Sequence, residues 1–511
     1  MSLLRQRHSA RNALSQRPQS LPVDHNKRLP RAPNVHSQYS HDNLILFILT
    51  IAAFITRFYK LGTPPSVIFD EFHFFRFLRH HLQRQFVFDI HPWLGKLTHY
   101  FFAVLFRLRP QPSFDIRITN LYPNSDYIVN RAVSAFFGVL CIPLMYRICR
   151  ELHLSTPVSF LAACMPLFDN LLLMESRFIL LDSQLIAYIK LTLLCALRLW
   201  RFARSEYGSP RYYKALVATA VSTALAMSVK WTAAVTPFLI AVVCALGIVF
   251  LERPLPILHS LLAALVSLVV YTIPWFIHLK LSVNSTPTAE YMSDAFRQTL
   301  HGNTSFPYRS DHNVTFFSSL YELHWRQFRA NRRVRTRHPW ESRWYEWPIN
   351  ARGMFFFIDQ VPDSPQQQQL ARVLYLIQNP AGALWISTAV LTSIVLLLLL
   401  QRYRTLLSPK HHVFRAATVA RFMLAGYIFN LVPYMFVERC YFIYHYLPAL
   451  TYGQLLLAVM VEALPRTVRF IAIALIFTTT LAAFIYWSPW VYATPMTFTS
   501  HTKLQWMPRW N

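Results

Sequence analysis

The chain contains about eleven apolar runs that approach or reach the length of a helix crossing a lipid bilayer. Backbone N–H and C=O groups cannot stay unpaired in lipid, so spanning runs form either helices or closed barrels. The composition is 54% apolar and 14% charged, and the 32 prolines outnumber the 10 glycines. Long helices interrupted by turns fit these values better than a barrel does. The sequence therefore predicts an all-α polytopic membrane protein.

The predicted spans follow one another between residues 43 and 487. They cover residues 43–61, 129–149, 158–173, 179–200, 215–229, 232–251, 257–279, 381–400, 417–437, 442–462 and 468–487. A further apolar run, 97–108, is too short to cross about 30 Å of hydrocarbon. We predict an interfacial or re-entrant helix there.

The positions of the basic residues predict the orientation of the chain. If run 97–108 does not cross, the N-terminal tail, Arg147, Arg150 and the basic segments 198–214, 402–421 and 466–469 share one side. Short cytosolic loops are enriched in Lys and Arg, so this side is predicted to be cytosolic. The net charge of +27 is then explained by membrane topology and does not predict a nucleic-acid partner.

The same topology predicts five regions. Residues 1–42 are expected to be a disordered basic cytosolic tail without a cleaved signal. Residues 43–281 form an N-terminal transmembrane module that includes a lumenal loop, 62–128, and residues 282–380 form a second lumenal loop. Residues 381–488 form the C-terminal transmembrane helices, and 489–511 a lumenal tail.

Two adjacent carboxylates, Asp70 and Glu71, follow the first span directly. Carboxylates at a membrane surface without a partner nearby in sequence carry a desolvation cost. They suit an enzyme that removes a proton from a soluble acceptor while its other substrate stays in lipid. The structural alternative is that Asp70 is the N-cap acid of an interfacial helix.

Several blocks of the chain resemble the protein O-mannosyltransferases, which move mannose from dolichyl phosphate mannose to Ser or Thr. The first blocks are Asp70-Glu71 with its flanks and His91-Pro92-Trp93-Leu94-Gly95-Lys96, where Trp93 replaces a Pro of the family pattern. The others lie at 130–135, 175–183, 228–231, 291–296, 338–348 and 439–448. One departure concerns the long loop, where the flanks of the lumenal MIR domain found in eukaryotic members are almost adjacent, so we expect that domain to be absent.

The resemblance implies a GT-C glycosyltransferase fold with lumenal interfacial helices and an inverting reaction. Asp70 would be the general base, and Glu71 would orient the acceptor or the partners of Asp70. The donor is itself the lipid-linked substrate, so no cofactor and no metal are expected. His91, His338 and His445 also lack the close spacing of a metal site.

Fixed cations are expected to stabilise the phosphate that leaves with the lipid. Arg131 is the leading candidate, followed by Arg439, Lys96, Lys230 and Arg177. Lys230 and Arg177 have the alternative of snorkelling at helix ends. The residues expected to contact substrate are His91, Asp182, His338, Glu341, Trp344, Tyr444 and His445.

Three Asn-X-Ser/Thr sequons in the long loop, at Asn284, Asn303 and Asn313, predict N-glycosylation and therefore lumenal exposure. The resemblance implies an enzyme of the endoplasmic reticulum membrane that acts on secretory proteins, with a homodimeric or heterodimeric partner related to it. Two alternatives remain open. One is another GT-C transferase that uses a polyprenyl-phosphate sugar on a lipid or glycan acceptor, and the other is a non-catalytic partner subunit.

Overall fold

The computed structural model describes residues 35–109, 111, 113–303, 305–309, 314–333, 337–360, 370–403 and 412–510. Most of the predicted N-terminal tail and the sequon residue Asn313 lie outside these ranges. The described residues from Ile45 onward form one compact unit, which contains the helical bundle.

The described residues are mostly helical. In chain order the helices are α1 (Val35–Phe58), α2 (Glu71–Leu82), α3 (Leu94–Leu105), α4 (Asp126–Glu151), α5 (Thr156–Leu167), α6 (Asn170–Glu175), α7 (Asp182–Ser205), α8 (Pro210–Val229), α9 (Val235–Leu246), α10 (Ile257–Leu281), α11 (Asp294–Arg297), α12 (Phe316–Arg333), α13 (Pro380–Arg402), α14 (His412–Leu431), α15 (Leu447–Glu462), α16 (Arg466–Tyr492) and α17 (Phe498–Leu504). Short 3-10 turns lie at Trp231–Ala234, Pro287–Tyr291, Trp344–Glu346, Val432–Phe436 and Ile443–Tyr446.

Every predicted span contains a helix. Within the described part of the chain, 7 helices are long and apolar enough to cross a membrane: α1, α4, α8, α10, α13, α14 and α16. The other four predicted spans correspond to α5, α7, α9 and α15, which are shorter or more polar. The polytopic helical class is therefore confirmed, whereas the number of crossings stays a prediction.

The interior of the bundle explains why α7 is less apolar than the other predicted spans. Helices α7 and α15 are buried along most of their length. The buried residues of α7 include the polar side chains Gln184, Lys190 and Thr192. A helix enclosed by other helices need not present an apolar surface to lipid, so its hydropathy underestimates its burial.

Hydrogen bonds between loops place several segments on one face of the bundle. Backbone bonds join Val67, which follows α1, to Asn120, which precedes α4, with an N···O distance of 2.9 Å. Helix α3 lies between these segments in the chain and has 12 residues, or about 18 Å, which is too short to cross a bilayer. Both of its ends therefore lie on that face. Asn284, which follows α10, accepts from Phe86 at 2.8 Å. We call this the loop face.

A small antiparallel sheet completes the loop face, and the sequence analysis did not predict it. Strand β1 (Met354–Gln360) pairs with β2 (Leu370–Leu376), which pairs with β3 (Met496–Thr497). The aromatic and β-branched residues of β1 and β2 are strand formers. Trp510 donates to the backbone oxygen of Asn350 at 2.9 Å, so the C-terminal segment packs against the long loop.

Candidate active site

A cavity of about 840 Å³ opens on the loop face beside the predicted catalytic pair. Its wall combines α2, the segment 87–91, the turn Pro287–Tyr291, α12 and the segment that precedes α15. Four of the residues predicted from sequence line it together: Asp70, His91, Arg439 and Tyr444. Residues far apart in the chain therefore converge on one chamber.

Asp70 directs its carboxylate into this cavity. It occupies the N-cap position of α2, but its side chain makes no capping hydrogen bond, so the structural alternative does not account for it. The hydroxyl of Tyr444 faces the carboxyl group. Burial raises the pKa of Asp70 to about 6, although the charges of His73 and Lys230 oppose that shift. A carboxylate with this pKa is a stronger base than one in bulk water.

Glu71 faces the opposite way and is fully buried against Arg131. The Arg131 guanidinium donates from Nε and Nη2 to the two Glu71 oxygens at 2.8 Å each. Its remaining N–H groups donate to the carbonyl oxygens of Leu61, Pro64 and Ser66. All five donors of the guanidinium are thus occupied. This corrects two expectations, because neither the predicted phosphate contact of Arg131 nor the acceptor contact of Glu71 is available here.

Lys230 forms a buried ion pair with Asp182, with 2.6 Å between Nζ and Oδ2. The pair joins the start of α7 to the end of α8, and Lys230 Nζ lies 5.3 Å from the centre of the Tyr444 ring. Neither residue lines the cavity. The charges of Asp182 and Lys230 therefore act on the pKa of Asp70 from outside the cavity wall. Each of the two residues binds the other in place of the substrate contact predicted for Asp182 and the phosphate contact predicted for Lys230.

The His91–Lys96 segment runs from the cavity wall, which His91 lines, to the start of α3. Lys96 forms an ion pair with Asp89 and donates to the backbone oxygen of His91 at 2.8 Å. The side chain of Lys96 is buried and lies outside the cavity wall, so its predicted phosphate contact is not observed. Burial lowers the pKa of His91 to about 3, so its imidazole is neutral near pH 7.

Arg439 is the candidate cation that the structure does bring to the cavity. It also lines a second cavity of about 520 Å³, which shares His91 with the first and contains His445. Its guanidinium donates to Asn331 Oδ1 on α12. No carboxylate of the described residues lies within ion-pair distance of it. Aromatic residues, among them Trp231, Phe328 and Tyr434, line part of the second cavity, so Arg439 lies where the two cavities meet.

Arg177 lies away from both cavities and holds the end of α1. It donates to the backbone oxygens of Arg57 at 3.0 Å, Tyr59 at 2.7 Å and Lys60 at 3.1 Å. Its guanidinium stacks over the ring of Tyr492 at 4.6 Å. The predicted phosphate contact of Arg177 is therefore corrected to a contact that joins α1 and α16.

The segment around His338 packs beside the cavity without lining it. The His338 ring lies 5.8 Å from that of Phe69, the neighbour of Asp70. Glu341 pairs with Arg337 at 2.7 Å, and Trp344 packs against the main core. The segment therefore supports the residues around Asp70, and a direct substrate contact of His338, Glu341 or Trp344 stays a prediction.

The two described sequon residues differ in their surroundings. The side chain of Asn284 is exposed, while its backbone pairs with the segment after α2. Asn303 is half-buried, and its Oδ1 accepts from the backbone N–H groups of Ser305 and Phe306 at 3.0 and 3.1 Å. Both lie on the loop face, where the predicted topology requires them.

Several arginines of the cavity wall were not among the residues predicted from the sequence. Arg76 comes from α2, and Arg326, Arg329 and Arg333 come from α12. The spacing of the last three places them on one side of a helix, a signal that could have been found once a helix was assigned to 316–333. Among the described residues, no group of three or more His, Cys, Asp and Glu side chains could hold a metal ion.

Comparison with known proteins identifies the family. Residues 47–284 match the family model of dolichyl-phosphate-mannose-protein mannosyltransferases. Residues 316–510 match the model of the C-terminal four-helix region of protein-O-mannosyltransferases. Dolichyl-phosphate-mannose--protein mannosyltransferase 4 of Candida albicans is 30% identical over 269 residues, which are 50% of this chain and 35% of the relative. Protein O-mannosyltransferase 1 of Drosophila melanogaster is 31% identical over 280 residues, covering 51% and 30%.

A solved structure shows the same fold. The S. cerevisiae protein O-mannosyltransferase Pmt1-Pmt2 complex bound to the sugar donor matches with a TM-score of 0.80 and 18% identity. The match covers 92% of this chain and 93% of that one, which confirms the predicted GT-C fold. The chain aligns with only about a third of the length of the curated relatives named above. Since the two matching models cover most of its residues, the chain belongs to the protein O-mannosyltransferase family.

Proposed function

We propose that this chain transfers mannose from dolichyl phosphate mannose to Ser and Thr hydroxyls of secretory proteins, with inversion at the anomeric carbon. The observation that carries the proposal is that Asp70 and Arg439 line the same cavity. A base for the acceptor and a cation for the leaving phosphate are the two charges that this transfer requires. Membership of the mannosyltransferase family supports the choice of sugar and donor.

In the proposed step, the acceptor hydroxyl oxygen attacks the anomeric carbon of mannose. Its proton passes to the Asp70 carboxylate as the new glycosidic bond forms. The bond between the anomeric carbon and the phosphate oxygen breaks, and dolichyl phosphate leaves with the electron pair. Asp70 is suited to this role because its pKa, raised by burial to about 6, still leaves it ionised at neutral pH.

Arg439 is the residue proposed to hold the donor phosphate. It reaches both cavities and has no carboxylate partner among the described residues, so its charge is available to an anion. Lys96 and Lys230 are already neutralised by Asp89 and Asp182. The aromatic lining of the second cavity suits the apolar part of a lipid-linked donor. The positive charge at the phosphate then comes from the protein, and we propose no cofactor.

We propose further that the protein resides in the endoplasmic reticulum membrane with its N-terminus cytosolic and its C-terminus lumenal. The loop face would then be lumenal, in agreement with the charge distribution and the sequons. The similar yeast structure is a complex of two transferases, and we propose that this chain likewise pairs with a second copy or a relative.

Only residues 285–315 separate the two matched regions, too few for an inserted domain of ordinary size.

The test is a transfer assay with the purified full chain, labelled dolichyl phosphate mannose and a Ser/Thr-rich peptide. We expect labelled peptide from the wild type, and a loss of at least about 100-fold in Asp70→Asn, the magnitude typical of losing a general base. Asp115→Asn is the matched control, because Asp115 is an exposed carboxylate of the same loop paired with Arg117. The rates with and without EDTA should agree.

Each alternative predicts a different result in this assay. A transferase for lipid or glycan acceptors would leave the peptide unlabelled while it consumed the donor. A non-catalytic partner subunit would give no transfer alone, and Asp70→Asn would not change the activity of a complex that contains it. Either outcome would overturn the proposed function.

A further inference from the structure

The outer wall of the first cavity carries an excess of positive charge that the proposed transfer does not use. Arg326, Arg329 and Arg333 project from one side of α12 into this wall. Arg326 pairs with Glu322, with 3.3 Å between the charged atoms. Arg329 and Arg333 are exposed and have no carboxylate of the described residues within ion-pair distance. Two arginine charges are therefore free at the mouth of the cavity.

The opposite wall does not balance these charges. Arg76 of α2 adds another cation, which lies over the ring of Phe72 at 5.2 Å. The carboxylates in the lining are Asp70, Asp89 and Glu290. Asp89 is neutralised by Lys96, and Asp70 serves as the proposed base. Among the described residues of the lining, Glu290 is thus the one carboxylate left to balance the charges of three arginines, Arg76, Arg329 and Arg333.

The proposed function assigns the contact with the donor phosphate to one cation of the cavity wall. Arg439 fills that role because it lies where the two cavities meet. Arg76, Arg329 and Arg333 line the first cavity and are absent from the lining of the second. Arg329 and Arg333 are exposed to solvent beside the cavity, so their field acts on a soluble acceptor that approaches it.

We infer that the cavity selects acceptor segments in which the Ser or Thr is flanked by acidic residues. This inference rests on the proposed function and names the acceptor class of the same site. An acidic flank would meet Arg329 and Arg333 on α12 and Arg76 on α2, whereas a basic flank would meet the same three charges in repulsion. Since Arg329 and Arg333 are exposed and Arg76 is half-buried, the effect of each pair is moderate and reduced by salt.

The experiment uses three peptides with one Thr-rich core and flanks of Asp, Asn or Lys. The purified full chain is assayed in neutral detergent without anionic lipid. We expect KM for the Asp-flanked peptide to be about three- to tenfold below that of the Asn-flanked peptide, and KM for the Lys-flanked peptide to be higher. High salt should reduce both differences. The turnover number should stay the same for all three peptides.

Substitutions of the α12 arginines test whether these residues cause the preference for acidic flanks. The double variant Arg329→Gln, Arg333→Gln should raise KM for the Asp-flanked peptide to the value for the Asn-flanked one, with kcat unchanged. Arg309→Gln is the matched control, since Arg309 is an exposed arginine of the same loop outside both cavity linings. Glu290→Gln should strengthen the preference. Exposed Arg-to-Gln changes of this kind leave folding intact.

The outcomes separate this inference from the proposed function. If the Asn-flanked peptide is labelled but the three KM values agree, the inference fails and the proposed function stands. If the double variant lowers kcat equally for all peptides, the arginines serve the donor, and the inference also fails. If it changes binding to vesicles with anionic phospholipid and no peptide KM, the occupant is a lipid surface. If no peptide is labelled, the proposed function itself fails.

Discussion

At the scale of single residues, Asp70 and Glu71 show how neighbouring carboxylates acquire different roles. Successive residues at the start of a helix point in directions about 100° apart, so one can face a cavity while the next faces the core. Glu71 is fully buried in a hydrogen-bonded ion pair with Arg131. Asp70 lines the cavity and forms no ion pair with a described residue. Only the second environment leaves a carboxylate free to accept a proton.

The environment of Asp70 predicts the pH dependence of transfer. Its pKa is raised to about 6 by burial, above the ordinary value of 3.8. The base acts in its ionised form, so kcat/KM should be constant at neutral pH and fall tenfold per pH unit below about 6. The measurement is kcat/KM against pH for a neutral peptide. A profile that stays flat down to pH 4.5 would contradict this assignment.

At the scale of elements, the helices were predictable and the partners of the arginines were not. Apolar runs must form helices in a membrane, so their positions follow from hydropathy. The role of an arginine depends instead on which carbonyl groups lie around it in the fold. Arg131 and Arg177 have the sequence context expected of phosphate ligands, yet Arg177 binds backbone oxygens at the end of α1 and Arg131 binds those of the segment after it. The sheet was not predicted because β1 and β2 lie in the long loop, where no apolar run indicates a membrane helix and no strand was looked for.

The pair of Glu71 and Arg131 joins the start of α2 to α4 and to the segment after α1, and its loss should unfold this junction. Removing one partner of a buried ion pair costs about 3–5 kcal/mol. We expect Glu71→Gln to lower the thermal unfolding midpoint of the detergent-solubilised protein markedly. The exposed pair of Asp115 and Arg117 provides the control, and Asp115→Asn should leave the midpoint unchanged.

Arg131→Lys distinguishes this structural role from the phosphate contact expected from the sequence. A lysine keeps the charge but cannot reproduce five hydrogen bonds in fixed directions. A structural role therefore predicts lower stability with an unchanged KM for the donor in the protein that remains folded. A normal unfolding midpoint together with a raised KM for the donor would restore Arg131 to the phosphate site.

At the scale of the whole molecule, the loop contacts constrain the topology more strongly than hydropathy does. The segments after α1, before α4 and after α10 are joined by backbone hydrogen bonds, so they share a face whatever the number of crossings. Trp510 and Asn350 place the C-terminal segment on the same face. The sequence predicted this arrangement because the basic segments all lie on one side of the membrane only if α3 does not cross it. The cavity itself was not predictable, since it depends on α12, which charge alone did not reveal.

An odd number of crossings between the N-terminal tail and the loop face predicts opposite sides for the two ends of the chain. In sealed microsomes, a protease added outside should remove a tag at the N-terminus and spare a tag at the C-terminus. Asn303→Gln should also abolish a shift on endoglycosidase treatment if that sequon is modified on the same side. Accessibility of both tags would require an even number of crossings. Since Trp510 binds Asn350 on the loop face, that result would place the loop face in the cytosol together with the C-terminal tag and would contradict the proposed lumenal orientation.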